Sequence, residues 1–244
     1  MRSAIGRSLD VYYRDHERTA RMDALNATFV SSGDLVFDIG AHVGDRTASF
    51  RRLGARVVTL EPQPKVFRAL RLIHGRDPQV TLLREAAGAE VGEIDIHLNT
   101  RNPTVSTASK ALIDAAPNAT GWADQTWDDT IRVPMTTLDH LITVNGTPSF
   151  VKIDVEGYEA DVLSGLNTVV PCLSFEITTI QRDVAAASLS RLSVLGAYEF
   201  NLSLGEDHAL HHDIWTTASA MVDTIQALPM SANSGDVYAR LKVW

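Results

Sequence analysis

The sequence predicts an α/β fold: a mostly parallel central sheet with helices on both faces and an antiparallel pair of strands at its C-terminal edge. Three observations predict it. Short apolar runs alternate with helix-like stretches across residues 35–195, the pattern of parallel strands joined by crossover helices. A glycine-rich turn, Gly40-Ala41-His42-Val43-Gly44, stands between the first strand and the helix after it, where open α/β sheets bind their ligands. Two late strand-like runs, 197–204 and 237–243, flank an irregular, partly helical insertion at 205–235 and break the earlier rhythm.

Taken in order, Leu9, Tyr12, Tyr13, Met22, Leu25 and Phe29 recur at helical spacing, so residues 1–32 are expected to form a helical lid or brace. The main domain is expected at 33–244. Ser32-Gly33-Asp34 opens onto Leu35–Ile39, an apolar run of the kind buried on both faces. A helix is expected near 45–53, a strand at 56–60, a helix at 63–74 and a strand at 79–84. Alternation of Ile94, Ile96 and Leu98 marks a half-exposed additional strand, and residues 99–130, rich in Asn, Thr, Asp and Pro, read as a long loop. The doubly wound order then continues with strands at 131–136, 149–155 and 172–177 and helices at 138–144, 157–166 and 181–195.

A chain of 244 residues with 45% hydrophobic and 21% charged residues suits one α/β core with decorations. The net charge of −8 argues against a nucleic-acid partner, which needs clustered Lys and Arg to displace counterions. Cys172 is the only cysteine, so no internal disulfide can form, and its apolar neighbours make it a core filler. Charges stud residues 1–32 and no apolar run is long enough to span a bilayer, so a cytoplasmic protein without membrane insertion is expected. Asn118-Ala119-Thr120 fits the glycosylation pattern, which has meaning only in a secreted chain.

The turn after the first strand departs from a dinucleotide fingerprint: His42 and Asp45 stand where that pattern requires glycine. The missing glycines suggest a ligand without a pyrophosphate, and the Asp38 carboxylate suggests one carrying positive charge. S-adenosylmethionine, with an ammonium and a sulfonium, fits both. Gly40 and Gly44 let its methionine portion lie against the backbone near a helix N-terminus. Glu61 ends the next strand about 20 residues on, where an acidic residue takes ribose hydroxyls, and Pro62 stops that strand. The third strand ends at Arg84-Glu85-Ala86.

Phe150-Val151-Lys152-Ile153-Asp154-Val155-Glu156-Gly157-Tyr158-Glu159 carries charge from a buried strand into a helix, which is costly unless paired. Lys152 is expected to pair with Glu176 on the neighbouring strand or with Asp154. Asp154 and Glu156 stand at the strand's carboxyl end, so either suits a general base for an alcohol nucleophile; ordering the cofactor and capping the following helix are the alternatives. His208 and His211, near Trp215, offer a second candidate base lining an acceptor pocket. Their His-x-x-His spacing has no accompanying cysteine, so no metal is assigned to it.

Asp38 to Thr47, Leu60-Glu61-Pro62, Thr137-Leu138-Asp139, Lys152 to Glu159 and Val162-Leu163-Ser164-Gly165 together resemble the FkbM family of methyltransferases over residues 33–180. The resemblance implies a class I, Rossmann-like methyltransferase fold and S-adenosylmethionine as cofactor. It also implies O-methylation of hydroxyls on sugars, glycolipids or polyketide-type natural products. Its motifs give cofactor roles to Asp38, Gly40 and Glu61 and active-site roles to Asp154 and Glu156. The full cofactor set expected is Asp38, Gly40, Ala41, His42, Gly44, Thr47, Glu61, Pro62, Glu85, Ala86 and Asp154. Family members often carry a Ser-rich segment approaching the cofactor or acceptor, here Ser106-Thr107-Ala108-Ser109. N- or C-methylation, or a nucleotide-binding module without methyl transfer, are the competing readings. The expected partner is a small hydroxylated acceptor, and the antiparallel edge and N-terminal helices offer surfaces for a homodimer.

Overall fold

Helix α1 (Ala4–Arg14) and helix α2 (His16–Asn26) precede strand β1 (Leu35–Ile39) in the computed structural model, which describes residues 4–119 and 121–242. The series continues with α3 (Asp45–Arg52), β2 (Arg56–Leu60), α4 (Pro64–His74) and β3 (Val80–Leu83). Then come β4 (Ala86–Ala87), β5 (Gly92–Leu98), α5 (Lys110–Ala115), β6 (Asp129–Thr136), α6 (Leu138–Asn145) and β7 (Phe150–Ile153). The chain closes with α7 (Glu159–Ser164), β8 (Cys172–Thr178), α8 (Arg182–Leu195), β9 (Tyr198–Leu204), α9 (Ala218–Ala227) and β10 (Ser234–Leu241).

The central sheet has seven strands in the order β3-β2-β1-β7-β8-β10-β9. Strands β1, β2, β3, β7 and β8 pair in parallel. The order reverses beside β1, and that switch point opens a crevice at the carboxyl ends of the strands. Every residue of β1 is buried. Phe37 and Ile39 join one core with Val151, Ile153, Leu173, Phe175 and residues of α6, α7, α8 and α9, while Val36 joins Leu25, Phe50 and Phe150 on the opposite face. Two helical layers thus hold the strand tips rigidly.

The expected antiparallel C-terminal pair is present, with β10 between β8 and the edge strand β9 and opposed to both. Two expectations need correction. The run at 131–136 does not continue the central sheet: β6 pairs antiparallel with β5 and in parallel with β4 in a separate three-stranded sheet. Alternation describes a half-buried strand equally well in either sheet, so periodicity alone could not place it. Residues 99–130 are not all loop, because they carry α5 and two 3₁₀ turns, Pro103–Val105 and Ala116–Asn118. This excursion is pinned where Trp127 Nε1 donates to the Val105 carbonyl (2.9 Å) and Trp122 Nε1 donates to Asn233 Oδ1 (2.9 Å). The expected strand end at Val243 and the Thr120 of the glycosylation pattern lie outside the described residues.

Helix α2 is fastened to α3 by Asn26 donating to Ser49 Oγ (2.8 Å) and Ser49 donating to Asp23 Oδ1 (2.6 Å). Arg18, 4% exposed, reaches from α2 to Asp45 at 2.9 Å and to Glu206 at 2.6 Å, tying the N-terminal helices to the turn after β9. Among the described residues no helix is long and apolar enough to cross a membrane.

Candidate functional site

Gly40 and Ala41 donate to the Leu60 carbonyl (3.0 and 2.9 Å), so the turn after β1 is laid across the end of β2. Gly40 has φ +82°, and a Cβ there would overlap the Asp154 carbonyl oxygen; only glycine lets this turn approach β7 so closely. His42, also left-handed at φ +49°, gives its backbone N–H to Glu61 Oε2 (3.0 Å), and Gln63 gives its own to Glu61 Oε1 (2.7 Å). Glu61 therefore clamps the turn while its buried carboxylate still borders the crevice. Burial pushes the Glu61 carboxyl up to about 8, against the opposing pull of those two N–H groups.

Asp38 is buried one residue short of the β1 tip and accepts a hydrogen bond from Thr47 Oγ1 at 2.5 Å. Burial raises it to about 6, with the Thr47 hydroxyl opposing. Burial also lowers the His42 imidazole below its ordinary value; neither ring nitrogen meets a hydrogen-bond partner, and the ring stands edge-on to Tyr12 at 6.0 Å.

Register explains the charged strand β7. Lys152 lies opposite Asp38 on β1 and Ser174 on β8, so Glu176 falls two residues too far along to face it. The Lys152 ammonium instead meets Asp236 Oδ1 of β10 at 2.5 Å and Asp154 Oδ2 at 3.2 Å. The expected Glu176 pair is thus replaced by Asp236, while the Asp154 contact is present. The reason is the insertion of β10 beside β8, which brings Asp236 opposite Glu176. Burial opposes charge on Lys152, but Asp154 and Asp236 outweigh it and hold the ammonium firmly protonated. After β7 the chain turns through Glu156 at φ +54°, whose carbonyl accepts from Thr107 Oγ1 at 2.6 Å. Burial, then the neighbouring Asp154 and Glu159, push the Glu156 carboxyl well above the usual carboxylate range.

These groups share one crevice, open at its mouth. Asp38, Gly40, Ala41, His42, Glu61, Pro62, Glu85, Ala86, Asp154 and Glu156 all line it, as do Ser106, Thr107 and Ala108. Gly44 and Thr47 stand behind it: Gly44 caps α3 against Leu70 and His74, and Thr47 is buried on Asp38. His208 and His211 do not line it, which corrects the expectation that they face the acceptor. His208 Nε2 sits 3.0 Å from Glu206 Oε2, and the His211 ring packs on His212 at 4.8 Å. Burial pushes the Glu206 carboxyl up, but His208, Arg46 and Arg18 outweigh it and hold it well below the usual range.

Tyr12, Arg46, Gln63, Ile94, Ile96 and Glu206 also line it and were not foreseen. Arg46, directly after the glycine turn, carried a usable signal; the apolar face of β5 did so only once its sheet was known. Among the described lining residues seven carboxylates (Asp38, Asp45, Glu61, Glu85, Asp154, Glu156 and Glu206) face one guanidinium, Arg46. Those of the seven that stay ionised disfavour a pyrophosphate and favour an ammonium and a sulfonium, and Glu61, protonated or not, offers acceptor oxygens for vicinal hydroxyls.

A seven-stranded, mostly parallel sheet in this order, with its crevice at the strand ends, is a class I, Rossmann-like methyltransferase fold. The chain belongs to the FkbM methyltransferase family: its residues 38–220 match the family's methyltransferase FkbM domain. It is therefore an S-adenosylmethionine-dependent methyltransferase. No curated protein matches it in sequence. Among solved structures it is similar to precorrin-6Y C5,15-methyltransferase from Geobacter metallireducens (13% identity, 92% of this chain and 86% of that one, TM-score 0.47). It is also similar to a TehB-like S-adenosylmethionine-dependent methyltransferase from Corynebacterium glutamicum (9% identity, 97% and 94%, TM-score 0.48). A third is an S-adenosylmethionine-dependent O-methyltransferase from Thermotoga maritima (11% identity, 100% and 72%, TM-score 0.45). None of the three lends a residue role to this chain.

Proposed function

We propose that the chain methylates a hydroxyl of a small sugar, glycolipid or polyketide-type acceptor in the cytoplasm. The observation that carries this reading is the row of carboxylates at three adjacent strand ends around one crevice: Asp38, Glu61, then Asp154 with Glu156. In this reading Asp38 faces the ammonium end of the donor beside Gly40 and Ala41, and Glu61 accepts from the ribose hydroxyls. Glu85 and Ala86 border the adenine, with Ile94 and Ile96 supplying apolar cover. Gly44 and Thr47 act from behind, by shaping the turn and fixing Asp38.

The bound donor supplies a methyl group made electrophilic by its sulfonium. An alcohol oxygen is a weak nucleophile, so a residue must align it and take its proton. Glu156 suits that role: it lines the crevice and holds protons more tightly than an ordinary carboxylate, which strengthens it as a base once ionised. Asp154, held by Lys152, orients the hydroxyl. Incubation with methyl-labelled donor and a panel of sugars, glycolipids and polyketide-type alcohols tests the reading. Label recovered as methyl ethers is expected; label recovered only on nitrogen or carbon would overturn O-methylation.

A further inference from the structure

Beyond the residues given roles above, Glu176 on β8 stands unexplained. One carboxylate oxygen from each of Asp154, Glu156 and Glu176 lies within 4.8 Å of the other two. Glu156 is only 8% exposed, and its carboxylate meets no hydrogen-bond donor among the described residues. Glu176 Oε2 is likewise buried without a hydrogen-bond partner. A carboxylate in this condition is costly to bury, and crowding three acidic groups within 4.8 Å of one another adds to the cost.

The nearby cations relieve it only in part. Lys152 is committed to Asp236 at 2.5 Å and to Asp154 at 3.2 Å. Arg46 is committed to Asp45 at 3.3 Å and Glu206 at 3.5 Å. A second cavity, lined by Arg46, Asp154, Glu176, Ser234 and Asp236 among others, adjoins the cluster.

We propose that Asp154, Glu156 and Glu176 form a binding site for one hard divalent cation of the magnesium, manganese or calcium kind. All three ligands are oxygens, the donor set such ions select over the softer transition metals. Three oxygens no more than 4.8 Å apart lie ~2.8 Å or less from a common centre, so calcium, with ligands at ~2.3–2.6 Å, needs a small closure and magnesium, at ~2.1 Å, a larger one. Three protein ligands leave positions for water and for an oxygen of the acceptor. That last role rests on the methyl-transfer reading; binding of the ion does not.

Manganese(II) is the probe. Titrated into the donor-free protein and followed by the loss of the free-ion paramagnetic resonance signal, it should saturate at one ion per chain. Glu176→Gln and Glu156→Gln should each weaken binding by at least about tenfold. Melting temperature and S-adenosylhomocysteine affinity, measured on the same Glu176→Gln sample, should stay near those of the parent and so report an intact fold. No saturable manganese binding by the parent at millimolar ion, or equal binding by both variants, would overturn the site. The two readings fail separately: manganese bound without S-adenosylhomocysteine removes the donor assignment and keeps the ion, and the converse removes the ion alone.

Discussion

Glu61 holds two backbone N–H groups of the crevice wall with the same carboxylate that borders the donor's space. Its loss should therefore act twice, on the shape of the turn and on the ribose contact. Glu61→Ala and Asp38→Ala are each expected to weaken S-adenosylhomocysteine binding by about tenfold or more, the scale of a hydrogen bond to a charged group. Asp154→Asn and Glu156→Gln should instead cut turnover by ~100-fold or more while changing donor affinity little. Steady-state kinetics beside calorimetry separates the two behaviours. Undiminished turnover in both latter variants would remove Asp154 and Glu156 from the proton-accepting role. The sequence already singled out Asp38, Glu61, Asp154 and Glu156, because each lies at or just past the end of a recognisable strand. It could not show that Lys152 meets Asp236, since that contact needs the place of β10 in the sheet.

At the scale of elements, α2 and the turn after β9 meet over α3 through Arg18, whose side chain is 5% exposed between Asp45 and Glu206. Removing it leaves Asp45, with a side chain 10% exposed, only the longer contact to Arg46 at 3.3 Å. Arg18→Ala should cost about 3 kcal/mol and lower the melting temperature by roughly 6–12 °C. Tyr12 lines the crevice with its ring under the Arg18 guanidinium at 5.0 Å, so the same variant should also weaken donor binding. A melting temperature within a degree or so of the parent would show that the N-terminal helices are not fastened this way. The helical character of residues 4–26 was legible from apolar spacing, but its contact with residue 206 was not, because neither segment carries a motif. The second sheet was missed for a related reason: β5 and β6 have ordinary alternation, and only pairing distinguishes an excursion from a continuation.

For the whole molecule, the buried carboxylates set the dependence of stability on pH. Glu61, raised to about 8, keeps its proton in the folded state over a range where the unfolded chain has lost it. The folded form then binds more protons than the unfolded form, so stability falls as pH rises toward 8. Glu159, raised by burial to about 7, and the raised Glu156 and Glu176 act in the same direction. His42 and His74, held neutral by burial, act oppositely but only below their ordinary value of 6.5. The melting temperature of the donor-free protein should thus fall between about pH 6.5 and about pH 8.5, with Glu61 contributing on the order of 2 kcal/mol, roughly 4–8 °C. Glu61→Gln should remove that share; a flat or rising profile in the parent would contradict the burial of these groups.

The central claim is that the acidic crevice over the β1–α3 turn holds S-adenosylmethionine, and calorimetry with its demethylated product tests it most directly. The account predicts one S-adenosylhomocysteine bound per chain, a large loss of affinity in Glu61→Ala, and no heat with NAD. Binding of NAD in preference to S-adenosylhomocysteine, or equal affinity in parent and Glu61→Ala, would contradict it.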